Sequence, residues 1–211
     1  MRWDKSVARY RDESGRFVGR KAVLAHVDAS LSKSAVVVEE LADMVADGAI
    51  SSADWMRLMR QNIKKEYIRE YLLGRGGVNV MQPSDWGRIG GMLADQYRYL
   101  NNFAAVVGDL TAGQIKMRLA PPCDCGDCAI ERSRMYMNSA REAFGRASEI
   151  SHRDAGYTEE SWHVDAAKEN CDDCLSLQAE GRQPLGYFPQ PGQGATRCLT
   201  NCGCSKRYWK Q

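Results

Sequence analysis

The chain has 211 residues, 44% of them hydrophobic and 27% charged, enough to bury a core in one domain or in one domain with an appendage. No apolar run of about eighteen residues occurs, which excludes a hydrophobic membrane-spanning helix. The formal net charge of +2 is too small for a dedicated nucleic-acid groove, which carries a strong basic stripe.

The first twenty residues, "MRWDKSVARYRDESGRFVGR", lack the apolar core of a signal peptide, so synthesis and retention in a reducing cytoplasm are expected. That favours thiolate–metal ligation over disulfides. Residues 1–20 are polar, with glycines at 15 and 19, and read as an extended arm that gains order only by docking. Two local basic patches stand out, "ARYRDESGRFVGRK" near the start and "SKRYWKQ" at 205–211. Each is either a phosphate contact or a solvated segment.

A helical body is expected over 21–155. "SLSKSAVVVEELADMVADG" (30–48) carries an apolar stripe and stops at Gly48. The next helix starts at a capping box from Ser51 to Asp54. Trp55, Met59, Ile63, Tyr67 and Tyr71 then recur every four residues, and Gly74, Gly76 and Gly77 supply the stop. A third helix over 83–110, capped by Ser84, aligns Trp86, Ile89, Leu93, Leu100, Phe103 and Val107. Gly87, Gly90 and Gly91 in its first turns suggest close approach of another backbone. A fourth helix over 129–152 puts Met137, Ala140, Phe144 and Ala147 on one face. Antiparallel packing buries four such stripes most simply.

After residue 155 the texture changes. A short strand is expected at 161–166, followed by the Gly-, Pro- and Gln-rich "AEGRQPLGYFPQPGQGATR". Such a stretch cannot form a core unaided and needs a staple. Cysteines flank it. Cys171 and Cys174 have the C-x2-C spacing that aims two sulfurs at one tetrahedral ion, and Cys198, Cys202 and Cys204 form C-x3-C-x-C. Four thiolates around zinc make a closed structural site. The expected set is Cys171, Cys174, Cys198 and one of the last pair, since two sulfurs one residue apart would strain at one ion. Cys204 is favoured over Cys202. Unligated thiols and disulfides are the alternatives. Cys123, Cys125 and Cys128 in "CDCGDC" would complete a second site with the spare sulfur, or form a thiol-rich loop at 121–128.

Catalysis finds little support. The sequence has no H-E-x-x-H, no deaminase glutamate beside a P-C-x-x-C, no nucleophile elbow and no phosphate loop. "GRIGG" lies inside a helical pattern, so its glycines are no dinucleotide fingerprint. A thioredoxin-like role for "CDDC" needs a helix N-terminus in a βαβ setting, which the surrounding residues do not announce. His26, His152 and His163 read as ordinary surface or capping residues, with His163 the best placed to ligate. No enzyme is expected. The fold class is mainly α: an antiparallel helical body with a small irregular or β C-terminal module, 156–211, stabilised by zinc.

Taken together, "YRDESGRFVGR", "SSADWMRLMRQNIKKEYI", "SDWGRIGGMLADQYRYLNNFA" and "RSRMYMNSAREAFG", followed by "CDDC", "PLGYFPQPGQG" and "CLTNCGC", resemble phage minor head proteins of the head-morphogenesis (Mu F-like) family. The cysteine tail is the specific part. The chain departs from the family in lacking a histidine in the Pro-rich run before the final cysteines, and in the cysteine richness of "CDCGDC". The resemblance implies a structural or assembly protein of the virion, at the portal vertex or inside the head, and in the host cytoplasm during assembly. Its implied partners are portal or capsid proteins, in multiple copies per particle, with contact to packaged DNA and no membrane. A zinc-stabilised nucleic-acid-binding protein is the alternative, favoured by Arg197, Lys206, Arg207 and Lys210 around the cysteines.

Overall fold

The computed structural model describes residues 1–108 and 129–210. The chain begins with a three-stranded antiparallel meander, β1 (Arg2–Asp4), β2 (Arg9–Arg11) and β3 (Phe17–Val18), with Trp3 opposite Tyr10. Both rings are buried, and they meet edge to face at 5.0 Å. Residues 1–20 thus lie against the body as short paired strands. Two aromatic residues on one face of a polar segment are enough to seat it on the body. The seat is Gly76, whose left-handed φ of 92° ends the second helix and brings its carbonyl 3.4 Å from the Trp3 amide.

Helix α1 (Arg20–Ala46) starts ten residues earlier than its apolar stripe suggested, because Val23 and Val27 continue the stripe through Leu31, Ala35, Val38 and Val45. Helix α2 (Ser52–Arg75) begins as expected, with Ser51 Oγ accepting from the Asp54 amide. Its face from Trp55 to Tyr71 is fully buried at every fourth position and forms the centre of the core. Helix α3 (Pro83–Gly108) opens on Pro83 instead of being capped by Ser84. Asp85 reaches back to accept from the Gln82 amide at 2.9 Å. Ile89, Leu93, Leu100 and Phe103 are buried, but Trp86 is exposed. Among the described residues nothing lies within 4 Å of where a side chain at Gly87, Gly90 or Gly91 would begin, so no described backbone approaches there.

Close approach occurs at Gly74 instead. A Cβ there would lie 2.5 Å from the Phe144 carbonyl and 2.6 Å from Ala147 Cβ. The expected 129–152 helix is two: α4 (Ala129–Asn138) and α5 (Arg141–Asp154), broken at Ser139–Ala140. The break lets Met137 and Ala140 stay buried with Phe144 and Ala147 while α5 turns to pack along α2.

The remaining residues build a second sheet in the order β5–β4–β6, all antiparallel. Strand β4 (Glu159–His163) lies between β5 (Arg182–Pro184) and β6 (Ser205–Trp209). Between β4 and β5 comes α6 (Asp172–Ala179), a helix whose single turn of apolar spacing is too short to announce itself. Trp162, Phe188, Cys174, Cys202 and Cys204 form a small core separate from that of the body. Among the described residues no helix is long and apolar enough to cross a membrane.

Candidate metal centre

The two cysteine turns converge. Cys171 is the N-cap of α6 and Cys174 lies in its first turn, so "CDDC" does occupy a helix N-terminus, although its strands are antiparallel and no βαβ unit surrounds it. The turn 196–204 is latched against this end. Asp173 accepts from the Arg197 amide at 2.8 Å, and Asp172 pairs with the Arg197 guanidinium at 3.1 Å. Leu199 holds a left-handed φ of 48°, a conformation costly for a branched apolar residue and tolerated where the surroundings enforce it.

Five sulfurs gather as two triads, Cys171–Cys174–Cys198 and Cys174–Cys202–Cys204, with the sulfurs of each triad within 4.8 Å of one another. Sulfur–sulfur distances are 3.7 Å for Cys171–Cys198, 3.6 Å for Cys174–Cys198 and 3.8 Å for Cys174–Cys202. A zinc–sulfur bond of about 2.3 Å gives a tetrahedron with edges of about 3.8 Å. Both clusters are thus capable of coordinating a metal ion, and Cys174 is common to them. Cys202 and Cys204 both approach Cys174, so either sulfur of the C-x-C pair is placed to join Cys171, Cys174 and Cys198. Cys202 extends the run of tetrahedral edges; Cys204 also has Asn170 Oδ1 at 4.0 Å.

The protein favours thiolate at two of the sulfurs, Cys171 and Cys202, and opposes it at Cys174, Cys198 and Cys204. The amides of Cys174 and Cys198 donate to Cys171 and draw its pKa down. Donation by the Cys204 thiol, aided by its amide, pulls Cys202 down to about 5. Burial pushes Cys174 up, and the neighbouring Cys202 sulfur, as proton acceptor and negative charge, pushes Cys204 up. The first proton leaves such a cluster easily and later ones do not, so full deprotonation calls for a cation at the centre. The Thr196 hydroxyl lies 3.1 Å from Cys198 Sγ. Four thiolates around a divalent ion retain two negative charges, and two cations stand nearby. Burial lowers the pKa of Arg141, which is paired with Asp28, and the nearby Cys202 and Cys204 sulfurs oppose that shift. The stem of Lys168 lies across Gly203, where a Cβ would come 2.7 Å from its Cδ.

His163 stays outside both triads, with Nε2 3.0 Å from Ser161 Oγ. His152 lies in the last turn of α5. It is half-buried and stacked on Tyr208 at 4.0 Å, with Nδ1–H donating to the Ser148 carbonyl at 2.7 Å. Cys123, Cys125 and Cys128 lie outside the described residues. Of the four cations expected to surround the knot for phosphate, Lys206 is buried between Glu149 and Glu160, and Arg197 is paired with Asp172. Sequence reasoning missed Arg141 and Lys168, whose roles depend on how α5 and the 164–170 turn face the sulfurs; no local spacing signals that. The chain matches no family model, no curated protein and no solved structure.

Proposed function

We propose that the sulfur cluster holds one zinc ion as a structural clamp and that the chain is a structural or assembly protein of a tailed-phage head, docked at the portal or the capsid interior beside it. The observation that carries the clamp is the enclosure of the sulfurs. Cys174, Cys202 and Cys204 are each buried, amides point at the sulfurs, and among the described residues no histidine or carboxylate joins either triad to work on a bound water. Closed thiolate sites stabilise; catalytic ones keep a position open. Cys171, Cys174, Cys198 and Cys202 are the proposed ligands, with Cys204 the spare beside them. A second ion would draw on Cys123, Cys125 and Cys128.

The head-protein reading rests on the resemblance of the helical segments and the cysteine tail to minor head proteins. Its test is association: the purified chain mixed with a tailed-phage portal ring, and intact particles probed for the chain. Co-sedimentation with the ring at physiological salt is expected. Absence from particles and rings, together with tight and salt-sensitive binding to free duplex DNA, would instead support the nucleic-acid alternative.

A further inference from the structure

The fold brings the two basic patches of the sequence to one place. A cleft of about 330 Å³ opens where the N-terminal sheet, the start of α1 and β6 meet. Arg9, Arg20 and Arg207 line it, and no carboxylate does. Among the described residues none of these three guanidinium groups forms an ion pair. Arg20 is half-buried and donates to the Lys206 carbonyl, and its pKa is lowered by burial and, less, by the nearby charge of Arg207. Like-charged groups brought together without a counter-charge are costly, and an anion seated between them relieves the cost. The same cleft includes Gly19, the N-cap of α1, which offers no side-chain cap, and the first turn of α1 has no acidic residue.

The rest of the lining is aromatic. Trp3, Tyr157, Tyr208 and Trp209 face the cleft with the His152 ring among them. Two further cations sit on these rings at its edge, Arg182 4.0 Å from the centre of Trp209 and Lys210 5.1 Å from that of Tyr157. Guanidinium groups that lack partners recognise phosphate, and aromatic faces recognise a planar base. A volume of this size lies at the lower end of the range for small-ligand pockets.

We propose that this cleft binds a nucleotide unit, with the phosphate held by Arg20, Arg207 and Arg9 and the base lying on the Trp209 and Tyr157 side. The chemistry is the same for a free mononucleotide and for one residue of a single strand. The site is separate from the sulfur cluster and does not depend on the zinc assignment.

Calorimetric titration of the full chain with adenosine monophosphate, inorganic phosphate and a short oligothymidylate tests the site. Saturable binding of adenosine monophosphate is expected, with phosphate alone weaker. The double variant Arg9→Gln/Arg207→Gln should lose about tenfold or more in affinity. Both side chains are exposed and without an ion pair, Arg9 resting on the Phe17 ring at 4.5 Å, so the fold should survive, and an unchanged thermal melt would verify it. Tighter binding of the oligothymidylate, lost in the same variant, identifies a strand as the source; equal or weaker binding identifies the free nucleotide. No binding at millimolar nucleotide, unchanged affinity in the double variant, or phosphate binding as tightly as adenosine monophosphate would overturn the proposal.

Discussion

Lys206 Nζ lies 2.7 Å from Glu149 Oε2, joining strand β6 of the cysteine module to helix α5 of the body. The ammonium group is almost wholly buried and also pairs with Glu160 at 2.8 Å, while Gln190 donates to the same Glu149 oxygen. This buried polar joint ties the module to the body beside the stack of His152 on Tyr208, which links the same helix and strand.

Replacing Lys206 with Met leaves two carboxylates facing each other out of water. A loss of about 3–5 kcal/mol in unfolding free energy is expected, the usual result of removing one partner of a buried pair. Adding Glu160→Gln to Lys206→Met should recover part of the loss. Chemical denaturation of the single and double variants measures both.

Two buried groups set opposing pH dependences. Burial drives the His152 pKa from 6.5 down to about 4, so its contribution is complete above pH 6.5 and is lost as pH falls towards 4. Burial, then the neighbouring Glu66 charge, raises Glu70 from 4.5 to about 8, so its contribution is complete below pH 4.5 and is lost as pH rises through 8. Stability should therefore decline from pH 6.5 to 8. Glu70→Gln should abolish that decline and stabilise the chain at pH 8 by on the order of 1–3 kcal/mol. His152→Phe should flatten the acid side. Denaturation curves across the range, read on the helical signal, decide both.

Gly74 is where α2 and α5 come closest, and its neighbours there are a backbone carbonyl and a methyl group that cannot swing aside. Gly74→Ala should cost about 1–3 kcal/mol or more through overpacking. The same change at Gly90, which faces open space inside α3, should stabilise slightly. Thermal melts of the two variants should move in opposite directions.

The legible parts of this molecule were those encoded by spacing. Trp55 to Tyr71 repeats every four residues and is the centre of the core, and the two cysteine turns converge as their spacing implied. What was not legible depended on long-range fit. Gly87, Gly90 and Gly91 carry the same local signature as Gly74, yet among the described residues only Gly74 of these four meets a neighbouring helix. Trp3 and Tyr10 turn a polar segment into a docked sheet because Gly76 leaves room for them, which no residue near them announces. Helix α6 was hidden because its first turn is occupied by cysteines and aspartates that read as a metal turn.

The ligand assignment separates two cysteines that sit one residue apart. Cys174→Ser removes the sulfur common to both triads and should unfold the module over 159–210 while sparing most of the helical signal, since the body keeps its own core. Cys204→Ser, which removes the spare sulfur, should leave the fold and metal content intact. Far-ultraviolet circular dichroism with limited proteolysis distinguishes the two; unfolding by Cys204→Ser with tolerance of Cys202→Ser would exchange their roles.

The central claim is a metal-held cysteine knot, and metal analysis of the chain purified without added metal tests it most directly. Roughly one zinc per chain is expected, replaceable by cobalt with the absorption of a tetrahedral thiolate site, and its removal by a chelator should release the module from protection. A chain that purifies folded without metal, its five sulfurs free or joined in disulfides, would contradict the account.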